Sequence, residues 1–484
     1  MTGCLPTFLP HRAIASLEVS RNTPARMSTP TTTTNAAAPW WRGLTRYHWF
    51  VFIVASAAWF FDCLDQRLFS LARIPALNSL MVDAKPGEIQ AAGKEVTAIF
   101  LIGWGIGGMI FGALGDRFGR AKMLTITVLL YSACTGLTFF SRTWIDFALL
   151  RMLTGMGVGG VFGLAVALIA ETVPNNSRTG ALGMLQVLST VGNISAGLAK
   201  MLIDNMEIAG TITKGTGWRW MFLIGALPAL LVILIQKYLK EPEPWLKLKR
   251  EGRLPTGSIF SPYAGLLKEA RWRKNLFVGA VIASTGVVAL WAIGEYGVDL
   301  QRQVFKTWYL ADGVPADKVM AKVNMAVTYS YLLSMLGAAV GMWIFTKVAQ
   351  HLGRRIAFAI GFSLALVVTV LVYWKMNSPA DGMWMLTLMT SCQLAVFAGF
   401  AIYLPELFPS RLRSTGTSFC YNLGRFAAAA GSFFSATLAT KVYGSFGSPA
   451  MERYSAMTMC AIFLMGLVIL PFAPETKDKP LPED

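Results

Sequence analysis

Apolar residues gather in long runs separated by polar connectors, and the runs have the length that crosses a bilayer. A hydrocarbon core of about 30 Å requires about 20 apolar residues in a helix. Such runs fall at residues 49–80, 96–115, 123–141, 144–170, 180–203 and 218–239, and then at 275–303, 322–349, 356–376, 383–404, 415–440 and 454–473, twelve in all. The one long interior polar stretch, Lys240 to Lys274, divides them six and six. This pattern predicts an all-α integral membrane protein with twelve transmembrane helices. Two six-helix bundles, residues 45–239 and 275–473, are expected to flank a cytoplasmic linker at 240–274, with a short tail at 474–484. Residues 1–44 are rich in Thr, Ala, Ser and Pro and lack an apolar signal-peptide core, so a disordered tail is expected there. Met27 offers an alternative start that would remove no membrane segment.

The charges orient the chain. Short loops rich in Lys and Arg stay in the cytoplasm. Alternate connectors carry Arg117, Arg120 and Lys122, then Arg178, then ten basic residues between Lys237 and Lys274, then Lys347, Arg354 and Arg355, then Arg411 and Arg413. The intervening connectors mix signs, as in Asp83, Lys85 and Glu88. Both termini and the linker are therefore expected in the cytoplasm, with the protein in the plasma (inner) membrane. Composition agrees: 54% of residues are apolar and 14% charged, against about 25% charged in soluble proteins. The net charge of +17 is spread over connectors, which makes it an orientation signal and not a nucleic-acid-binding face. The cysteines show no metal spacing, and no phosphate-binding Gly-x4-Gly-Lys-Ser/Thr loop is present. An enzyme, ATP drive, a metal site and a cofactor are thus not expected.

Self-comparison reveals a duplication. Glu171, Pro174 and Arg178 after the fourth run recur as Glu406, Pro409 and Arg413 after the tenth, offset by 235 residues. Phe118-Gly119-Arg120 after the second run matches Leu352-Gly353-Arg354 after the eighth, offset by 234. Parallel halves with the substrate path between them are a known transporter plan. At these residues the chain resembles the major facilitator superfamily. Gly112-Ala-Leu-Gly115-Asp116-Arg117-Phe118-Gly119-Arg120-Ala121-Lys122 is similar to that superfamily's signature between spans two and three, departing from it at Ala121. Arg151-Met-Leu-Thr-Gly155-Met-Gly157-Val-Gly159-Gly160 is similar to its span-four signature. Gly217-Trp-Arg-Trp-Met-Phe222, Glu241-Pro-Glu-Pro-Trp245 and Pro474-Glu475-Thr476-Lys477 resemble its sugar-porter and metabolite:proton symporter branch. The resemblance implies alternating access and a cytoplasmic gate. Its residues would be Gly112, Asp116, Arg117, Gly119, Arg120, Glu171 and Arg178, with Gly353, Arg354, Arg355, Glu406 and Arg413 in the second half. Gln350 and His351 stand where Asp116 and Arg117 map, so the second gate is expected to be weaker. The arginines also fit simple positive-inside anchors, and the glycine pairs of span two, Gly103/Gly107 and Gly108/Gly112, fit either static packing or sliding surfaces.

Ionisable residues within a span are costly unless paired or hydrated, which makes them functional candidates. Span one holds Asp62 and Asp65, three apart and on one helix face. Asp62 lies 13 residues beyond Trp49, roughly 20 Å along the helix. Arg151 in span four is the natural partner. An acid in span one with an arginine in span four resembles the superfamily's proton-coupling pair, and the Asp-x-x-Asp spacing resembles its aromatic-acid symporters. No histidine lies inside a span, so a proton carrier must be a carboxylate, with Glu295 in span seven the other candidate. Arg425 in span eleven suits bidentate binding of a carboxylate. Gln186, Asn193, Trp291, Gln393, Tyr421 and Asn422 are expected to add polar and stacking groups to a substrate cavity.

The expected function is proton-driven uptake of a small polar metabolite, an organic acid, sugar acid or sugar, by a monomer whose partners are substrate, protons and lipid, without nucleic acid. An efflux antiporter is the alternative. Span five, however, lacks the Gly-Pro pair usual in that class. A receptor on a transporter fold is the alternative of another class, and it would be favoured by long extramembrane domains, which are absent from the sequence.

Overall fold

The computed structural model describes residues 39–447 and 449–483, and within the helices a few side chains, Glu295 among them, lie outside the described residues. The tail expected at 1–44 thus falls mostly outside them. All described regular structure is helical. Five long helices form spans one to five: α1 (Arg46–Leu80), α2 (Pro86–Phe118), α3 (Arg120–Leu137), α4 (Trp144–Thr172) and α5 (Asn175–Ile208). Span six is broken into α6 (Gly217–Gly225) and α7 (Ala229–Tyr238). Pro228 explains the break, because it lacks the N–H that a continuous helix needs and its ring crowds the carbonyl four residues back.

The polar stretch between the halves is not bare coil. It contains α8 (Glu243–Arg250) and α9 (Ser261–Lys268), both packed beneath the bundles. Trp245 of α8 donates to the Asp116 carbonyl at 2.9 Å, and the Tyr263 hydroxyl of α9 donates to the Met109 carbonyl at 2.7 Å. Span seven runs through α10 (Ala270–Val288), a π-helical turn at Ala289–Ile293 and α11 (Gly294–Ala311). Spans eight to eleven are α12 (Ala316–His351), α13 (Arg354–Lys375), α14 (Pro379–Glu406) and α15 (Arg413–Thr437), and span twelve is α16 (Ala450–Met459) continued by α17 (Ile462–Ile469). By length and composition, ten of the described helices suit a membrane crossing. Among the described residues, span six supplies a shorter apolar stretch, Gly217–Val232, and span eleven is not among the ten.

The duplication extends into hydrogen bonding. Arg178 Nε donates to the Ala170 carbonyl at 2.8 Å, as Arg413 Nε donates to that of Pro405 at 3.1 Å. Glu241 accepts from the backbone N–H groups of Ala121 and Lys122 at the start of α3, and Glu475 does the same for Arg354 and Arg355 at the start of α13. Anionic groups are favoured at helix N-termini, where backbone donors are unpaired. These contacts require Gly119 and Gly353: their φ values are +112° and +98°, and a Cβ would lie 2.2 and 2.8 Å from the Glu241 and Glu475 carboxylates. Spans four and ten both open with a capping box, Thr143 with Asp146 and Ser378 with Asp381.

The two glycine pairs of span two face different partners. Gly103 and Gly107 lie against the backbone of Met152 and Met156 in α4, within the first bundle. Gly108 and Gly112 lie against Asn422 and Ser418 in α15, across the interface between bundles. The first pair packs within its own bundle, and only the second meets a surface of the other bundle. A Cβ on Gly107 would stand 2.0 Å from the Met156 carbonyl oxygen, whereas one on Gly197 meets nothing within 4 Å. Gly107→Ala is therefore expected to destabilise the purified protein by about 1–3 kcal/mol through overpacking, while Gly197→Ala gains helix propensity and leaves the melting temperature level or higher. Equal melting temperatures for the two variants would contradict this packing.

Candidate functional site

The clasped end of the bundles is built from the paired motif residues. Asp116 and Arg120 are fully buried and 3.0 Å apart. The Asp116 carboxylate also reaches the other bundle, accepting from Ser414 N at 3.1 Å, Thr415 N at 2.8 Å and Thr415 Oγ1 at 2.6 Å at the start of α15. Glu171 pairs with Arg120 at 3.1 Å in its own bundle and with Arg413 at 2.7 Å across the interface. Arg120 further donates to the Ser410 carbonyl. In the second half Arg354 pairs with Glu406 at 2.8 Å and crosses to the first bundle through one bond, to Thr179 Oγ1 at 2.7 Å. Fewer crossing bonds on that side agree with the missing second aspartate. Arg178 turns to Ala170 O and Asn175, and among the described residues it forms no ion pair with Glu406. Arg117 donates to the Gly257 carbonyl of the linker, and Arg355 meets Glu475 and Pro471, so neither joins the clasp.

Above the clasp lies a layer that closes the middle of the protein. Trp59 Nε1 donates to Gln186 Oε1, and Gln186 Nε2 donates across the interface to the Phe397 carbonyl at 3.1 Å. Tyr421 stacks on Phe162 with ring centroids 3.8 Å apart. From this floor a cavity of about 660 Å³ runs between the bundles away from the clasp. Gln186, Asn193, Trp291, Gln393, Tyr421 and Arg425 all line it, as expected from the sequence. Asn422 does not line it: its amide donates to Gly159 O at 3.3 Å and Ser418 O at 2.8 Å, at the crossing with Gly108. The π-helical turn carries Trp291.

Arg425 dominates the deep wall. Its guanidinium carbon sits 3.6 Å from the Trp104 ring centroid, 4.8 Å from that of Tyr421 and 5.8 Å from that of Trp291. Its Nε and Nη1 have no hydrogen-bond partner, though the side chain is almost fully buried. A guanidinium has five donors in a planar fork that matches a carboxylate.

The buried acids of span one stand behind the cavity wall. Asp65 accepts from Thr135 Oγ1 at 2.8 Å and lies 3.7 Å from Arg151. Arg151 donates to Thr138 Oγ1 at 2.7 Å and faces the Phe222 ring at 4.5 Å. Asp62 accepts from Gln66 at 3.0 Å and lies within electrostatic reach of Asp65 and Arg425. All three ionisable residues are completely buried. Sequence reasoning did not single out Thr135 and Thr138, which look like ordinary span-three residues, or the cavity-lining Arg67, Lys200, Asp204, Arg302 and Tyr331. A basic residue within span one was the available signal for Arg67.

Two pseudo-symmetric helical bundles around a polar cavity, closed at one end by ion pairs, define an integral-membrane transporter. The sequence pattern of the Major Facilitator Superfamily matches residues 49–432, and the chain belongs to that family. It is 27% identical over 389 residues to the cis,cis-muconate transport protein of Acinetobacter baylyi, covering 78% of this chain and 84% of that one. To the sialic acid transporter NanX of Escherichia coli it is 27% identical over 375 residues, covering 77% and 82%. Its fold is similar to the solved proton:xylose symporter XylE bound to 6-bromo-6-deoxy-D-glucose, with a TM-score of 0.68, 19% identity, and coverage of 90% of this chain and 98% of that one.

Asp116 accepts three bonds from the opposite bundle, and bonds to a charged group contribute about 1.5–3 kcal/mol each. Asp116→Asn is expected to open the clasped end, raising thiol-reagent labelling of a cysteine placed at Thr179 by about tenfold or more. Unchanged labelling would return Asp116 to a packing role.

Proposed function

We propose that this chain is a proton-coupled importer of a small carboxylate, with Arg425 as the substrate-carboxylate site and the clasped end facing the cytoplasm. The observation that carries the substrate class is the Arg425 guanidinium, set in the cavity wall with two nitrogens unpaired. A carboxylate there would accept from the guanidinium in a site of low dielectric, where charge-assisted bonds are strong. Support also comes from the relatives, whose names specify muconate and sialic acid, both carboxylates, and from a niacin transporter that is 23% identical over 396 residues. The orientation rests on the basic residues gathered at the clasped end.

Coupling is assigned to Asp65 and Arg151, with Asp62 beside them. While Asp65 is ionised it holds Arg151; a proton on Asp65 cancels that attraction and frees the guanidinium for its threonine partners. The pair is completely buried, so its electrostatic state matters more than it would in water. Substrate on Arg425 places an anion near Asp62 and favours protonation of the span-one acids, because like charges disfavour ionisation. Proton and substrate then load together. A clasp of ion pairs between the bundles makes the reorientation a two-state change between closure at one end and closure at the other.

In proteoliposomes, Asp65→Asn is expected to abolish proton-driven accumulation and to retain counterflow of preloaded substrate, since exchange does not require the empty carrier to reset. Interacting carboxylates titrate as a pair, so Asp62→Asn should keep partial accumulation. Full accumulation by the double variant would remove both acids from the mechanism and move the assignment to Glu295.

A further inference from the structure

Arg67 is left unused by the coupling pair and by the Arg425 site. It lies four residues beyond Cys63 at the middle of α1, lines the same cavity as Arg425, and holds its guanidinium carbon 3.9 Å from the ring centroid of Tyr331 in the opposite bundle. Its Nε has no hydrogen-bond partner, and no acid among the described residues forms an ion pair with it. The other charges of the wall are accounted for differently. Lys200 and Asp204 pair at 2.5 Å and cancel, while Arg302 is exposed toward the mouth. The described wall therefore carries two interior guanidiniums, Arg67 and Arg425, that form no ion pair among the described residues.

The two are linked through Cys63, which lines the same cavity. Cys63 lies within electrostatic reach of Arg425 and of Tyr331, the ring on which Arg67 rests. Arg67 follows Cys63 by four residues, one helical turn or about 6 Å. Both cations line one cavity, so a ligand with an anionic group at each end can address both. Stacking on Tyr331 holds the guanidinium in place but leaves the N–H donors of Arg67 free for an acceptor. A role in long-range steering suits Arg302 at the mouth better than Arg67, which is held against the opposite bundle inside the cavity.

We propose that Arg67, seated on Tyr331, is a second carboxylate site and that the preferred substrate is a dicarboxylate, with one carboxylate on Arg425 and the other on Arg67. This rests on the assignment of Arg425 made above. Because Arg67 belongs to α1 and Arg425 to α15, a ligand held by both ties the two bundles together, which gives the longer ligand a direct hand in closing that end.

Calorimetric titration of the purified full chain tests the proposal with matched acids: adipate beside hexanoate, suberate beside octanoate, and trans,trans-muconate beside sorbate. At least one dicarboxylate is expected to bind about tenfold or more tightly than its monocarboxylate partner, the margin of one charge-assisted contact. Arg67→Gln should erase that margin, and Arg67→Lys, which keeps the charge without the planar stack, should restore part of it. Equal affinities in the wild-type pairs, or a margin that survives Arg67→Gln, would overturn the dicarboxylate proposal; if monocarboxylate binding is then lost in Arg425→Gln, the Arg425 assignment stands. Wild-type protein that binds none of the six acids would remove both.

Discussion

A single carboxylate oxygen, Glu171 Oε1, receives Arg120 from its own bundle at 3.1 Å and Arg413 and Ser410 from the opposite bundle at 2.7 and 2.9 Å. A buried charge with one partner removed costs several kcal/mol, so the two bundles cannot separate here without stranding Arg413. The rest of the structure follows from that constraint. With this end fixed, the bundles splay only at the other end, and the cavity extends there from its Trp59, Gln186 and Phe397 floor. The linker helices reinforce the same end through Trp245 and Tyr263.

The duplication supplies two versions of this device, and they are unequal in strength. Arg120 with Glu171 and Arg354 with Glu406 repeat the same local geometry. Only the first version recruits the opposite bundle through several charged bonds, because Asp116 caps the start of α15 and has no counterpart at Gln350. Arg413 accordingly crosses the interface to Glu171, while its repeat partner Arg178 stays within its own bundle. The cytoplasmic clasp of the proposed transport cycle is thus a one-sided latch, with a single Arg354–Thr179 bond on the second side.

Much of this was legible in the sequence, for reasons that differ by feature. Spans announced themselves by length and hydropathy, and the clasp by charges recurring at a fixed offset. The Thr143–Asp146 and Ser378–Asp381 caps are a further repeat at the offset of 235, which the charged motifs overshadowed. Other features depend on tertiary placement. The π-helical turn that carries Trp291 into the wall leaves the apolar pattern of span seven unchanged, and the rotation of span eleven, which turns Asn422 toward Gly108 and Arg425 into the cavity, is fixed by packing against α2. Arg67 stands two residues from Asp65 in the sequence, yet its significance comes from Tyr331 on a helix more than two hundred residues away.

A latch centred on Glu171 would set which end of the protein is open. Electron–electron double resonance on spin labels tests it most directly, with one label pair at Lys122 and Leu352 on the clasped end and another at Val82 and Asp312 on the opposite end, each measured with and without Glu171→Gln. Glu171→Gln is expected to lengthen the Lys122–Leu352 distance and shorten the Val82–Asp312 distance together. Distances that stay fixed at both ends, or that change in the same direction, would contradict it.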